Sequence, residues 1–159
     1  PVIAGGGYFF DLAAHQLDYL DYIFGPISEV NGIATNQGAH YKVADHIQGN
    51  FKFQNGILGS GSWCFTVAPN AEKDEMNIIG SKGHIRISFF GEPTIYLERA
   101  SKEVEVFEYE MPKHIQQPLI QTVVNDLLGI GACPSIGTTA IRTNWVMEEM
   151  TKDFYRDNV

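Results

Sequence analysis

The sequence predicts an α+β fold, a large open, mostly antiparallel β-sheet with helices on one face. Three observations predict it. Helical apolar spacing is confined to the two ends of the 159-residue chain, between Tyr8 and Phe24 and again after Pro112. The stretch between, from Ser28 to about Tyr109, consists of short runs rich in Val, Ile, Phe, Tyr and Thr, punctuated by turn residues. A sheet bounded in sequence by helices in this way buries one face beneath them.

The first helix, YFFDLAAHQLDYLDYIF, follows the flexible Gly5-Gly6-Gly7 and stops at Gly25-Pro26. The strands follow as hairpins. HIQGNFKFQ and ILGSGSWCFTV flank Asn55-Gly56, a dipeptide that tolerates the positive φ of a type I′ turn. MNIIG and HIRISFF flank Ser81-Lys82-Gly83, and TIYLERA pairs with KEVEVFEYE, giving six or seven strands in all. After Pro112, Leu119, Ile120, Val123, Val124, Leu127 and Leu128 form one helical stripe, with Pro118 suited to the first turn. A last helix is expected from about Thr138 to Phe154. Length and the absence of repeats or linkers indicate a single domain over residues 1–159.

Composition narrows the function. With 44% hydrophobic and 19% charged residues the chain has the apolar mass for a core without staples. A net charge of −8 argues against a surface that neutralises phosphate backbones, so nucleic acid is not an expected partner. Cys64 and Cys133 lie far apart with no C-x-x-C pattern, which indicates reduced, buried thiols rather than a disulfide or zinc site. No apolar run approaches the roughly 20 residues a membrane span needs, and the start lacks the basic region of a signal peptide. A cytoplasmic protein is expected. The chain opens on Pro1, as an excised segment would, so an upstream signal stays open.

Strands apolar at both parities, as in Ile57, Leu58, Trp63, Cys64 and Phe65, predict a paired second sheet face and hence a homodimer or higher homo-oligomer through it. Gly59 and Gly61 alternate on one strand, where close packing or a bulge is the expected cause. No glycine-rich stretch completes a dinucleotide fingerprint, so no cofactor-binding residue is expected in this chain.

On the first helix, uniform winding gathers Asp11, His15, Asp18 and Tyr22 on one side, with Phe9, Leu12, Ala13, Leu17, Tyr19, Leu20, Ile23 and Phe24 on the other. Gln16 falls on the apolar side and breaks the pattern. The D-x-x-x-H-x-x-D stripe puts two carboxylates in reach of one imidazole, an arrangement that can fix a tautomer and hold a proton near neutral pH. A solvated polar face has the same spacing. Asp11 and His15 with a third histidine, His40, His46, His84 or His114, offer only a weak metal set, and no metal is expected.

G-G-G-Y-F-F-D-L-A-A-H-Q-L-D-Y-L-D-Y-I-F-G resembles the opening of the C-terminal domain of the Gfo/Idh/MocA oxidoreductases, the glucose-fructose oxidoreductase and inositol dehydrogenase family. The specific motif lies in the first 25 residues, and the remaining pattern agrees in kind. The resemblance implies an NAD(P)-dependent oxidoreductase acting on a sugar, inositol or related polyol. NAD or NADP would be bound by an N-terminal Rossmann domain absent from this chain, which alone is expected to be inactive. It implies His15 as general base and Asp11 as the group orienting substrate or imidazole, with Asp18 structural. Asn36, Gln37, Tyr41, Lys42 and Asp45, in the loop after the first strand, are candidate substrate-lining residues, and Trp63 is either a sugar platform or sheet packing. The alternatives are a non-catalytic ligand-binding or dimerisation module and a NAD-assisted glycosidase.

Overall fold

A computed structural model describes residues 6–100 and 102–157. Gly5, the first glycine ahead of the helix, lies outside them. The chain forms two compact units, residues 1–68 with 134–159, and residues 69–133.

In the first unit the chain enters through a π turn, Phe9–Ala13, that continues into α1, Ala14–Phe24. Three antiparallel strands follow, β1 (Ile27–Thr35), β2 (His46–Phe53) and β3 (Leu58–Cys64), in the order β1-β2-β3. The last helix, which we number α3, spans Gly137–Asp157 and packs on β1 and β2. The core is Phe9, Ala13, Leu17, Ile47, Phe51, Phe53, Val146, Met147 and Met150, so α1 and α3 cover the same face of this sheet.

The approach of α3 is close because β1 and β2 present glycine beneath it. A Cβ on Gly32 would stand 2.5 Å from the backbone of Met150, and one on Gly49 would stand 2.7 Å from its side chain. Gly59 and Gly61 serve close packing in the same way, lying under the rings of Phe51 and Trp63.

The Asn55-Gly56 hairpin forms where expected but with a different turn. Gly56 N–H donates to Phe53 C=O at 2.9 Å, Phe53 N–H to Ile57 C=O at 2.9 Å, and only Gly56 has positive φ, at 89°. This is the three-residue loop with a glycine bulge, not the two-residue type I′ turn, because Asn55 stays at negative φ.

The second unit carries β4 (Met76–Gly80), β5 (Gly83–Ile87), β6 (Thr94–Glu98) and β7 (Glu105–Glu108), antiparallel in that order, and α2 (Gln117–Leu127). The seven strands among the described residues thus divide into sheets of three and four, where one sheet was expected. The ladder ends at β3, and the connection from it to β4 runs through a 3₁₀ turn, Pro69–Ala71. Pro118 sits in the first turn of α2, as read from the sequence.

The outer face of the first sheet is more polar than its composition suggested. Pairing places Asn31 opposite Asn50, Gln48 opposite Ser62 and Asn50 opposite Ser60 on that side. Trp63 turns inward, and the large apolar groups left outside are Ile33, 71% exposed, and Leu58, 77% exposed. The mixed parity of ILGSGSWCF comes from a strand whose glycines make room for inward rings, not from two apolar faces. Cys64 and Cys133 are not disulfide-linked and are half-buried. Among the described residues no helix is long and apolar enough to cross a membrane.

Candidate functional site

The helix bearing Asp11 and His15 does not wind uniformly. Its first turn, Phe9–Ala13, is π, closing i→i+5 bonds and taking more than four residues per turn. Uniform α winding leaves residues four apart about 40° out of line. The wider turn lags that phase, and Asp11 within it and His15 just after it are both exposed. Its phase lag also explains which residues are buried: Phe9, Ala13, Leu17 and Asp21, in steps of four. Tyr19 and Ile23, which uniform spacing puts on the apolar side, turn outward, and Asp11 and His15 are exposed opposite the core. Asp18 is half-buried at the side.

The glycines preceding the helix set where it starts. Gly6 and Gly7 have φ of 105° and 91°, and a Cβ on Gly7 would meet Val43 Cγ2 at 2.6 Å. The start of the helix is thereby seated on the loop that holds the remaining candidates. Tyr8, 56% exposed, packs edge-on to Tyr41 with centroids 6.5 Å apart and lies 5.8 Å from Phe65. Residues 36–45 and the Asp11–His15 helix meet at this aromatic cluster.

Within the loop the polar residues divide by task. Asp45 is fully buried and its carboxylate accepts the amides of Gln37 and Gly38, each at 2.8 Å. Asn36 turns inward, donating to Tyr41 C=O and accepting from Ala39 N–H, so its amide is spent on the loop itself. Tyr41 is half-buried, and burial first, then the Asp45 carboxylate, raises its phenol above the ordinary value. Lys42 is exposed. Gln37 reaches the sheet edge, where its amide donates to Thr66 Oγ1 at 3.3 Å and its carbonyl lies 3.4 Å from His46 Nδ1. No group of three or more His, Cys, Asp or Glu is placed to hold a metal ion among the described residues.

Trp63 is in packing, not on an open platform. It meets Phe9 edge-on at 5.2 Å, and its Nε1 donates to Gln16 Oε1 at 2.6 Å. Sequence reasoning passed over Tyr8, Asp21 and the partner of Gln16. The misplaced polarity of Gln16 was the one available signal.

An α+β domain with an exposed Asp–His pair on its first helix defines a class of domain, and comparison with known proteins names it. Residues 1–86 match the model of the GFO/IDH/MocA C-terminal domain, and the chain belongs to that family. It is 34% identical over 150 residues to Oxidoreductase P35 of Formosa agariphila, covering 93% of this chain but 44% of that protein. An oxidoreductase from Agrobacterium radiobacter, solved with NAD+, L-tartaric acid and magnesium, superposes with a TM-score of 0.78 at 16% identity, over 96% of this chain and 48% of that one. The WlbA dehydrogenase of Bordetella pertussis, solved with NADH and UDP-GlcNAcA, gives 0.72 at 19% identity, over 97% and 47%. The chain spans about half the length of these relatives.

Proposed function

We propose that the chain is the substrate-binding and dimerisation domain of a cytoplasmic NAD(P)-dependent oxidoreductase acting on a sugar, inositol or related polyol. The observation that supports the reading is that Asp11 and His15 are both exposed on the first helix, whose start packs through Tyr8 on Tyr41 of the 36–45 loop. The ligands of the Agrobacterium and Bordetella proteins, a hydroxy acid and a nucleotide sugar acid, support a hydroxyl-bearing substrate.

All strand pairs among the described residues are antiparallel, whereas a dinucleotide-binding fold is built on a parallel sheet. We assign the cofactor to an N-terminal domain outside this chain, and the chain alone should not turn over. Bound there, nicotinamide supplies the hydride acceptor. The work of this chain is on the proton: a ring nitrogen of His15 takes it from the substrate hydroxyl, and Asp11 orients the imidazole or the substrate. Tyr41 and Lys42 line the substrate on the loop side, with Asn36 shaping that loop. The outer face of β1-β2-β3 pairs two copies.

The test is His15→Ala and His15→Asn in the full-length protein, assayed with NAD+ and NADP+ against D-glucose, myo-inositol and L-tartaric acid. Loss of about 10²–10⁴-fold in kcat/KM is expected. Turnover surviving within a few-fold overturns the assignment. Release of an aglycone from glycosides with no net nicotinamide reduction would point instead to hydrolysis.

A further inference from the structure

Gln16 has no task in the proton transfer, yet it is the polar residue that the helix turns toward the sheet. Its partner explains it. The ring of Trp63 lies across β3, where a Cβ on Gly61 would stand 2.3 Å from it. From there the ring touches the helix twice. Its face or edge meets Phe9, inside the π turn, at 5.2 Å and 72°, and its Nε1 donates to Gln16 Oε1 at 2.6 Å. These two contacts bracket His15, one before it on the chain and one immediately after.

A part-buried indole N–H requires an acceptor, and a directional hydrogen bond resists rotation of a helix in a way that apolar contact does not. Two contacts at different heights on one ring fix both the rotation and the axial position of the segment between them. Phe9 is almost wholly buried, so the π turn is held from the core side while Gln16 is held from the flank.

We propose that Gln16 and Trp63 are positioning residues for His15: their hydrogen bond, with the Trp63–Phe9 contact, sets the direction in which the imidazole leaves the helix. The inference rests on His15 being the base. It adds a pair whose loss slows the proton-transfer step without touching substrate.

The test uses the full-length enzyme and whichever of D-glucose, myo-inositol or L-tartaric acid it oxidises fastest. Gln16→Met keeps length and volume but removes the acceptor, Gln16→Glu keeps an acceptor, and Trp63→Phe keeps a ring but removes the donor. Gln16→Met and Trp63→Phe should each lower kcat about tenfold with KM changed less than twofold, and Gln16→Glu should recover most of the loss. The double variant Gln16→Met/Trp63→Phe should lose no more than either single change. In a His15→Ala background, Gln16→Met should alter the residual rate less than twofold.

A second readout needs no cofactor: the His15 ring resonances should broaden or multiply in Gln16→Met and not in Gln16→Glu. Folded Gln16→Met with unchanged kcat and unchanged His15 resonances overturns the proposal. So does a loss equal in Gln16→Met and Gln16→Glu, or one that persists in the His15→Ala background. Where His15→Ala abolishes turnover and Gln16→Met leaves kcat unchanged, only the positioning role falls. Where His15→Ala keeps turnover, the base assignment falls and the positioning role with it. If Trp63→Phe does not fold, the two Gln16 variants carry the test.

Discussion

Asp21 of α1 receives Arg142 of α3 in a two-pronged pair: Nε donates to Oδ1 at 2.9 Å and Nη2 to Oδ2 at 2.5 Å. Asp21 is 7% exposed, so its charge is compensated almost entirely by this guanidinium, which the Asp21 hydrogen bonds hold protonated above its ordinary value. Removing the cation leaves a buried carboxylate alone. Arg142→Met should therefore cost about 2–3 kcal/mol of stability, read as a lowered denaturant midpoint. An unchanged midpoint would show that the pair is not what ties α1 to α3.

The loop at residues 36–45 separates a residue that holds its shape from one that faces solvent. Asp45→Ala frees the two amides it accepts from and should destabilise the unit by about 2–4 kcal/mol. Lys42→Ala should leave the thermal midpoint within a degree or two, yet raise KM several-fold. Equal KM for Lys42→Ala and wild type would remove Lys42 from the substrate side.

Tyr155 makes stability sensitive to alkali. Its hydroxyl donates to Gly6 C=O at 3.3 Å, and burial raises its phenol above the ordinary value. Between the unfolded and the folded value the native state holds the proton that the unfolded state has lost, so stability is intact below about pH 10 and falls as pH rises through the folded value. Tyr155→Phe should flatten that part of the curve in denaturation series at pH 8 to 11. A slope unchanged by the substitution would assign the effect to other groups.

Dimerisation is expected through the outer face of β1-β2-β3. Ile33 and Leu58 are its exposed apolar groups on β1 and β3. A stable dimer buries about 800 Å² on each partner. Light scattering should give a dimer for the full-length protein, and Ile33→Lys with Leu58→Lys should shift it toward monomer with its circular dichroism unchanged. A wild-type monomer would discard the interface.

The parts legible in sequence were those whose cause is local. Helical spacing around Leu17 and Val123, alternation in the strands and the turn at Asn55-Gly56 all follow from residues within a few positions of one another. Other features depend on groups far away in the chain. The π turn is a phase shift that a uniform 100° wheel cannot register, and it turned Tyr19 and Ile23 outward and Asp21 inward. Asp21 finds its partner 121 residues later, and Gln16 finds Trp63 47 residues later. Neither pairing has a local signature. The division of the strands after β3 depends on which edges find a ladder, not on the β-propensity of either strand. The sequence by itself determined the elements, the α+β class and the Asp11 and His15 side chains that the first helix exposes. The tertiary structure alone decided how the first helix is wound and anchored, because the packing and hydrogen bonding around it come from β3, α3 and the loop beneath Tyr8.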